Sequence, residues 1–453
     1  MQIVDDRLFK NDLATFLRFG FVPREKPFLN PGEGCFESYA ELVRNEILSS
    51  TQYPFFKYAS KSGSSKGFRQ YNFEEFDSAW LHALRNSGLQ DEHIGVLLSG
   101  GKDSTAIVYG LRRIGVKNVT CFTYVPAHGE NEAEDAASVC EALGFEHVTL
   151  RHNSKADFQA WVSILARSEK PCGDFAFPAV CRIFQEMKSR GISTAVDGIG
   201  NDVYMGFTTS KTDHLFSAFN LTRLFGRSVW GKDWLFSLIG PWQLKYIASS
   251  LLMHPLERMF SGSRLGVDEC RNLGIPISPI WDTLTELADS TDGMPDYQKR
   301  AYCRGLLFDQ FGAMRKSIIA GESAGIKVSF PFINEHFCEY YCSLEESERF
   351  DLKRGINKVA LRKYLTDLRS QYGIAAETYN SKKGSFRFNF SDFIGENKEE
   401  LRKAIDFRND KTFVHDLQVF AIALLNKKRD YYRDSKLFLV LSFLISESKR
   451  SNI

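Results

Sequence analysis

One short segment constrains the fold more than any other part of the chain, because it joins a strand pattern, a glycine turn and a helix pattern. The apolar run 94–98 leads directly into Ser99-Gly100-Gly101. From Lys102 to Leu111 the apolar residues recur at helical spacing. This order predicts a buried β-strand whose end turns sharply into the first turn of a helix.

The turn has the chemistry of a phosphate-binding site. Gly100 and Gly101 let the backbone approach a ligand without a Cβ in the way. The first N–H groups of the helix and its dipole favour a negative charge, and Ser99 and Ser104 add hydroxyl groups. Asp103 would repel a phosphate unless a cation lay between them, so we interpret it as a Mg²⁺ ligand. A plain glycine-serine turn is the alternative interpretation.

The segments that follow alternate between strand and helix patterns. Residues 119–125 and 146–150 are predicted strands, with a helical pattern at 132–143 between them. A further strand is predicted at 193–196. This alternation predicts an α/β fold with a doubly wound parallel sheet. Ligands of such sheets bind beyond the carboxyl ends of the strands, where the glycine turn also lies.

A second loop with glycines and carboxylates follows the strand predicted at 193–196. It reads Asp197-Gly198-Ile199-Gly200-Asn201-Asp202. Because the carboxyl ends of parallel strands meet at one edge of the sheet, we expect Asp202 to share a metal with Asp103. A turn or capping role is the alternative for Asp202.

Lys358 stands at the start of an apolar helical pattern much later in the chain. A positive charge opposes the helix dipole at that end. An anion nearby would explain the lysine, whereas a solvated surface lysine is the alternative.

Composition places the chain among ordinary globular proteins. Its 453 residues are 43% hydrophobic and 25% charged, and its formal net charge of +2 predicts neither nucleic-acid nor membrane binding. Nine cysteines without a CxxC pair favour free thiols in a reducing compartment. The sequence does not begin with a signal-peptide pattern, and the apolar run at 437–445 is too short to span a bilayer. We therefore expect a cytoplasmic location.

Residues 99–104 resemble the SGGxDS pyrophosphate loop of the N-type ATP pyrophosphatases, also called PP-loop enzymes. That resemblance implies a doubly wound parallel sheet of the five-stranded type, followed here by extensive C-terminal helices. It also implies cleavage of ATP between the α and β phosphates.

Later segments resemble those of the asparagine synthetases, and they occur in the same order along the chain. The resemblance implies a connector-like region at 1–75 and a synthetase-like domain at 76–453 with a helical C-terminal part. The similar segments are 17–23 with 31–32 (the connector), Asn131-Glu132 with Ala136 (DExxxA), 197–202 (SGEGADE), 330–334 (RVPFLD), Lys358 with Leu361-Arg362 (KxxLR) and 382–386 (K-x-GF with one extra residue).

The sequence departs from that family in two places. Gln2 stands where family members with a glutaminase domain carry the nucleophilic cysteine, so we expect this chain not to produce its own ammonia from glutamine. In the second loop Ile199 replaces a glutamate implicated in handling the attacking amine, and Asp197 could supply a carboxylate instead. Val203 replaces the last glutamate, and Asn334 replaces the aspartate of RVPFLD.

The resemblance implies an ATP-dependent ligase that uses ATP and Mg²⁺. A substrate carboxylate would be adenylated, pyrophosphate released, and ammonia or an amine transferred to the acyl-adenylate. The implied roles are Mg²⁺ binding by Asp103 and Asp202, pyrophosphate binding by Ser99, Gly100, Gly101 and Ser104, charge neutralisation by Lys358, and adenine binding near Tyr124 and Gly198.

Several other interpretations remain open from the sequence. A PP-loop enzyme that modifies RNA would use the same loop, although the balanced charge and the absence of CxxC speak against it. A degenerate nucleotide-binding protein without turnover would fit the altered second loop. If the chain is a ligase, its nitrogen comes from a separate glutaminase or from the amine of a larger substrate, such as a peptide, and the sequence does not choose between them.

Overall fold

The computed structural model of the chain describes most of its residues. The described ranges are 6–29, 36–49, 68–89, 93–127, 133–168, 170–202, 204–205, 219–232, 250–257, 265–293, 303–351, 353–373, 388–409 and 411–450. The described strands are β1 (Ile94–Leu97), β2 (Val119–Val125), β3 (Glu146–Arg151), β4 (Thr194–Val196), β5 (Lys327–Ser329), β6 (Phe350–Asp351) and β7 (Ile356–Asn357).

Helices make up most of the remaining described structure. They are α1 (Asp6–Phe19), α2 (Tyr39–Ser49), α3 (Phe73–Asn86), α4 (Lys102–Arg113), α5 (Ala133–Leu143), α6 (Ser154–Leu165), α7 (Phe177–Ser189), α8 (Leu221–Phe225), α9 (Val267–Asn272), α10 (Ser278–Asp289), a π-helix (Arg304–Ala313), α11 (Met314–Ala324), α12 (Glu335–Cys342), α13 (Glu346–Arg349), α14 (Val359–Gln371), α15 (Phe390–Glu396), α16 (Lys398–Ile405), α17 (Thr412–Leu425) and α18 (Tyr431–Arg450), with 3₁₀ turns at Gly226–Ser228 and Pro331–Ile333.

The central sheet is parallel and has the strand order β3-β2-β1-β4-β5. The chain starts at β1, moves outward to β3, and returns to place β4 on the other side of β1. This is the doubly wound α/β sheet that the sequence predicts. The strand patterns at 94–98, 119–125, 146–150 and 193–196 correspond to β1 to β4, and β5 adds the fifth strand.

The sheet has a hydrophobic core on each face, because successive side chains of a strand point to opposite sides. Cys121 of β2 packs in the core that contains α3, α4, α5 and α14, whereas the adjacent Phe122 packs in the core that contains α6 and α7. Ala195 and Val196 of β4 divide between the two cores in the same way. Helices therefore cover both faces of the sheet.

The N-terminal helices share a core with the C-terminal ones. The ring of Phe9 on α1 lies 6.1 Å from the ring of Phe443 on α18. After α1 ends, Gly20 has a φ of +82°, which favours glycine. Its carbonyl accepts the N–H of Gly173 at 3.0 Å, so two backbones are in direct contact there. The division of the chain at residue 76 stays a prediction.

Several local features of the described residues can be compared with the sequence. Asn72 caps α3 by accepting the N–H of Glu75 at 3.0 Å. The described cysteines form no disulfide, and none of the described helices is long and apolar enough to cross a membrane. The residues of the K-x-GF-like segment 382–386, together with Asn131-Glu132, lie outside the described residues.

Replacing Gly173 with alanine tests the backbone contact between Gly20 and Gly173. A Cβ on Gly173 would lie 2.7 Å from the Cα and the carbonyl oxygen of Gly20, and 2.6 Å from Cδ1 of Leu439. We expect Gly173→Ala to lower the free energy of unfolding by about 1–3 kcal/mol, the usual cost of overpacking, in urea titrations. Gly395→Ala is the matched control, since a Cβ there meets nothing within 4 Å. Equal unfolding midpoints for the two variants would contradict this account.

Candidate active site

The candidate site lies where the winding of the sheet changes direction. β1 continues into α4 on one face, whereas α11, the helix that precedes β5, packs against α7 on the other face. The carboxyl ends of these two neighbouring strands therefore open into a crevice between diverging segments. Such a switch point is the usual ligand site of an open α/β sheet.

The loop after β1 forms a tight turn at the start of α4. Ser104 Oγ donates to the carbonyl of Ser99 at 2.6 Å and accepts the N–H of Ser99 at 3.1 Å. The Ser104 hydroxyl therefore holds the loop closed across Gly100 and Gly101. Gly101 occupies the N-cap position and makes no side-chain cap, and the N-terminus of a helix favours a negative charge.

The loop after β4 lies directly against the start of α4. A Cβ placed on Gly198 would lie 3.1 Å from the backbone nitrogen of Ser104 and 3.3 Å from Cβ of Asp103. A larger residue at 198 would push the two loops apart. Glycine at this position thus brings the two acidic loops together, as expected for strand ends at one edge of the sheet.

Lys358 joins the two loops. Its Nζ lies 2.6 Å from Asp103 Oδ2 and 2.6 Å from Asp202 Oδ1. The same nitrogen donates to Asn201 Oδ1 at 3.0 Å, and Asn201 Nδ2 donates to Asp103 Oδ1 at 2.6 Å. The structure therefore brings together Asp103, Asp202 and Lys358, which were predicted from separate segments. The anion expected near Lys358 is a pair of carboxylates in this structure.

The surroundings of Lys358 strongly favour its charged form. Burial lowers the pKa of the ammonium, but the negative charges of Asp103 and Asp202 outweigh burial and hold the pKa above its usual range. The backbone of Lys358 is left-handed, with φ +56° and ψ +40°, immediately before α14. A non-glycine residue in this region carries roughly 1–3 kcal/mol of strain, and such strain is concentrated at functional sites.

A third carboxyl group, on the π-helix, belongs to the same electrostatic cluster. Asp309 is buried, and burial raises its pKa to about 7 against the opposing effects of Arg304 and Lys358. The negative charge of Asp202 raises the pKa further. π-Helical turns are rare and frequently occur at functional sites. Asp309 is thus a candidate site residue from a segment that the sequence analysis left unassigned.

Asp197 and Ile199 of the second loop contact other parts of the protein. Asp197 is buried, and its carboxylate accepts the hydroxyl of Ser317 at 2.6 Å. Burial raises the pKa of Asp197, while Lys316, the Ser317 hydroxyl and the Ile199 N–H lower it. The side chain of Ile199 packs against the core that contains α4. The Asp197 carboxylate is therefore engaged with Ser317 and the backbone of its own loop.

Tyr124 is in a polar cluster at the ends of β2 and β3. Its hydroxyl donates to Asp157 Oδ2 at 2.6 Å and lies 2.9 Å from His152 Nδ1. Asp157 is fully buried, and Arg182 Nε lies 3.5 Å from its other oxygen. The hydroxyl is thus held within the protein. Adenine binding near this ring stays a prediction.

Two residues of this site were not assigned by the sequence analysis. Asn201 is part of the second loop, but no pattern in the sequence assigns it a role. Its side-chain amide can both donate and accept, so it can bridge charged groups from different segments. Asp309 interrupts the apolar run Leu306-Leu307-Phe308 and is followed by Gln310-Phe311. A lone carboxylate in such a run is the signal that could have identified it, because a buried charge is rare without a partner.

Asp309→Asn tests the buried carboxyl through the pH dependence of stability. A carboxyl whose pKa is raised in the folded state loses favourable free energy as pH rises from its unfolded pKa toward its folded pKa. Asparagine cannot ionise, so we expect the free energy of unfolding of Asp309→Asn to exceed that of the wild type at pH 8. The difference between the two proteins should be larger at pH 8 than at pH 5 by on the order of 2 kcal/mol. Urea unfolding at both pH values measures the difference.

The control for this experiment is Asp282→Asn, whose side chain is 58% exposed. That variant should follow the wild type at both pH values. A difference between wild type and Asp309→Asn that does not grow with pH would contradict the assigned environment of Asp309.

The comparison with known protein families agrees with this architecture. A family model described as asparagine synthase matches residues 75–412, a span that contains β1 to β5, both acidic loops and Lys358. The search of curated proteins found no match. Because the family model covers well over half of its length, the chain belongs to the asparagine synthase family.

Proposed function

We propose that this protein adenylates a substrate carboxylate with ATP, releases pyrophosphate, and transfers ammonia or an amine to the acyl-adenylate. Membership of the asparagine synthase family makes the chain an ATP-dependent carbon–nitrogen ligase at the level of the family. The observation that carries the finer proposal is the contact of Lys358 Nζ with both Asp103 and Asp202 at the switch point of the sheet.

The donor set fits the binding of Mg-ATP. Mg²⁺ is usually held by one or two carboxylates together with substrate phosphates, and Asp103 and Asp202 come from two loops that meet in one crevice. The N-terminus of α4, where Gly101 supplies no side-chain cap, suits the phosphates. When bound, Mg²⁺ would neutralise the charge that develops on the leaving pyrophosphate.

Activation requires stabilisation of negative charge. The substrate carboxylate oxygen attacks the α-phosphorus of ATP, and the bond to the β-phosphate oxygen breaks. Lys358 is buried, and Asp103 and Asp202 hold the pKa of its ammonium above the usual range. One charged donor in such a site stabilises a transition state by about 2.7–4 kcal/mol. We assign Lys358 to the phosphate oxygens on which charge accumulates.

Amide formation follows from attack of a nitrogen nucleophile on the acyl carbon. The bond between the acyl carbon and the AMP oxygen breaks, and the nitrogen loses a proton. Ile199 offers no carboxylate to this nitrogen, and the carboxylate of Asp197 is engaged with Ser317. We propose that the nitrogen comes from a separate glutaminase or from the amine of a larger substrate.

The direct test is an isotope-transfer experiment. The protein is incubated with Mg-ATP, ammonium chloride and a panel of ¹⁸O-labelled carboxylates that includes amino acids, N-acyl amino acids and short peptides. Adenylation transfers one labelled oxygen to AMP and releases pyrophosphate. Formation of ADP and phosphate would contradict the proposal. Pyrophosphate release only on addition of RNA would favour the RNA-modifying alternative, and calorimetric binding of ATP without turnover would favour the degenerate one.

Two site variants should lose this activity while remaining folded. We expect Asp103→Asn and Lys358→Met to slow pyrophosphate release at least about 100-fold, because each removes a charge that acts in the transition state. Lys363→Met is the matched control, since that lysine lies on α14, the helix that Lys358 precedes. Its Nζ contacts Glu348 at 2.6 Å, outside the site. A stopped pyrophosphate assay measures the rates. Wild-type turnover in either site variant would contradict the assigned roles.

A further inference from the structure

The three N–H donors of the Lys358 ammonium match the acceptors around it. A lysine ammonium has three donors and no acceptor. Here the partners are Asp103 Oδ2 at 2.6 Å, Asp202 Oδ1 at 2.6 Å and Asn201 Oδ1 at 3.0 Å. All are oxygen atoms, two of them from carboxylates, so the ammonium occupies a cage of the kind that hard metal cations prefer.

We infer that the Lys358 ammonium and the divalent cation compete for one position between Asp103 and Asp202, so that the metal binds this protein only together with the nucleotide. The inference rests on the proposed function in one respect, namely the assignment of these two carboxylates to Mg²⁺. It adds an order of binding and names the residue that imposes it.

The two carboxylate oxygens lie close enough together for one cation to contact both. Asp103 Oδ2 and Asp202 Oδ1 each lie 2.6 Å from one nitrogen, so they are no farther apart than twice that distance. Mg²⁺ binds oxygen at about 2.0–2.1 Å, so a small approach of the two loops would let one ion bridge the same two atoms. The space between them already contains the ammonium.

The positive charge of the Lys358 ammonium opposes a metal ion at this position. Without nucleotide, the group formed by Asp103, Asp202 and Lys358 has a formal charge of −1. A dication added beside the ammonium would meet a like charge at contact distance, next to a lysine side chain that is only 5% exposed. The ammonium must therefore move before the metal can use both carboxylates.

The backbone of Lys358 limits where the ammonium can move. Its N–H donates to the carbonyl of Met205 at 3.0 Å, and its carbonyl accepts the N–H of Arg362 at 2.9 Å. With the main chain held in place, the side chain moves only by rotation about its own bonds. Phosphate oxygens bound at the start of α4 are anionic acceptors within the same crevice. The nucleotide thus draws Lys358 away from the carboxylates and brings the metal that replaces it.

The test uses Mn²⁺ as the probe and measures its binding by electron paramagnetic resonance, without turnover. Wild-type protein should bind Mn²⁺ weakly in the absence of nucleotide. Lys358→Met, which keeps an unbranched side chain, shortens it by one atom and removes its charge, should bind one Mn²⁺ per chain at least about tenfold more tightly. Lys363→Met should behave as wild type. The double variant Lys358→Met with Asp103→Asn should lose the gained binding.

A second measurement keeps the inference testable if Lys358→Met does not fold. Mn²⁺ alone should leave the unfolding temperature of the wild type unchanged, whereas Mn²⁺ with an α,β-methylene analogue of ATP should raise it. The inference is overturned if nucleotide-free wild type binds one Mn²⁺ per chain as tightly as Lys358→Met does. It is also overturned if nucleotide-free wild type binds Mn²⁺ tightly and nucleotide-free Asp103→Asn binds it more weakly.

This outcome is separable from that of the proposed function. A tenfold gain of Mn²⁺ affinity in Lys358→Met together with no pyrophosphate release by wild type on any carboxylate would uphold the inference and contradict the ligase. Pyrophosphate release by wild type together with tight nucleotide-free Mn²⁺ binding would do the reverse.

Discussion

The ammonium of Lys358 binds carboxylates from two loops, and the geometry of the whole site depends on that contact. Asp103 follows β1, Asp202 follows β4, and Lys358 precedes α14, so segments far apart in sequence meet at one nitrogen. The side chain of Lys358 is buried, but those of Asp103 and Asp202 are 29% and 43% exposed, so solvent screens these ion pairs and limits what they add to stability. A role in the proposed binding of Mg-ATP explains this arrangement better than the stability that it adds.

The sheet topology explains why these segments can meet. The strand order changes direction between β1 and β4, and such a switch point is where an open α/β sheet leaves space beyond the carboxyl ends of its strands. Gly198 removes the side chain that would fill that space, since a Cβ there would lie within 3.1 Å of the backbone of Ser104. The hydrogen bonds between Ser104 and Ser99 then fix the loop across from it. Fold and site are thus one arrangement.

Much of this arrangement could be predicted from the sequence, because it depends on local patterns. The apolar runs of β1 to β4 and the alternation with helices identify the sheet, and parallel strands necessarily end at one edge. The rule that parallel strands end at one edge was enough to predict that Asp103 and Asp202 lie close together. The unfavourable dipole at Lys358 indicated an anion without identifying it, because the contact joins residues far apart in sequence.

Other parts of the site could not be predicted because they depend on tertiary contacts. Asn201 acts through its amide, which bridges Lys358 and Asp103, and no spacing rule encodes that contact. Asp309 lies on a π-helix, whose period differs from that of the α-helix that sequence patterns detect. Its relevance comes from burial beside Asp202 and Lys358, which only the folded chain creates.

The two loops divide the proposed chemistry unequally. In the proposed function the residues of the first loop bind the phosphates, whereas the second loop combines the carboxylate of Asp202, proposed as a metal ligand, with the apolar side chain of Ile199. Asp197 does not compensate, because its carboxylate accepts bonds from Ser317 and from the backbone of its own loop. Under the proposed function, the choice of nitrogen nucleophile would then depend on groups outside the second loop. Activation of the carboxylate and selection of the amine would be set by different parts of the chain, so that one could change without the other.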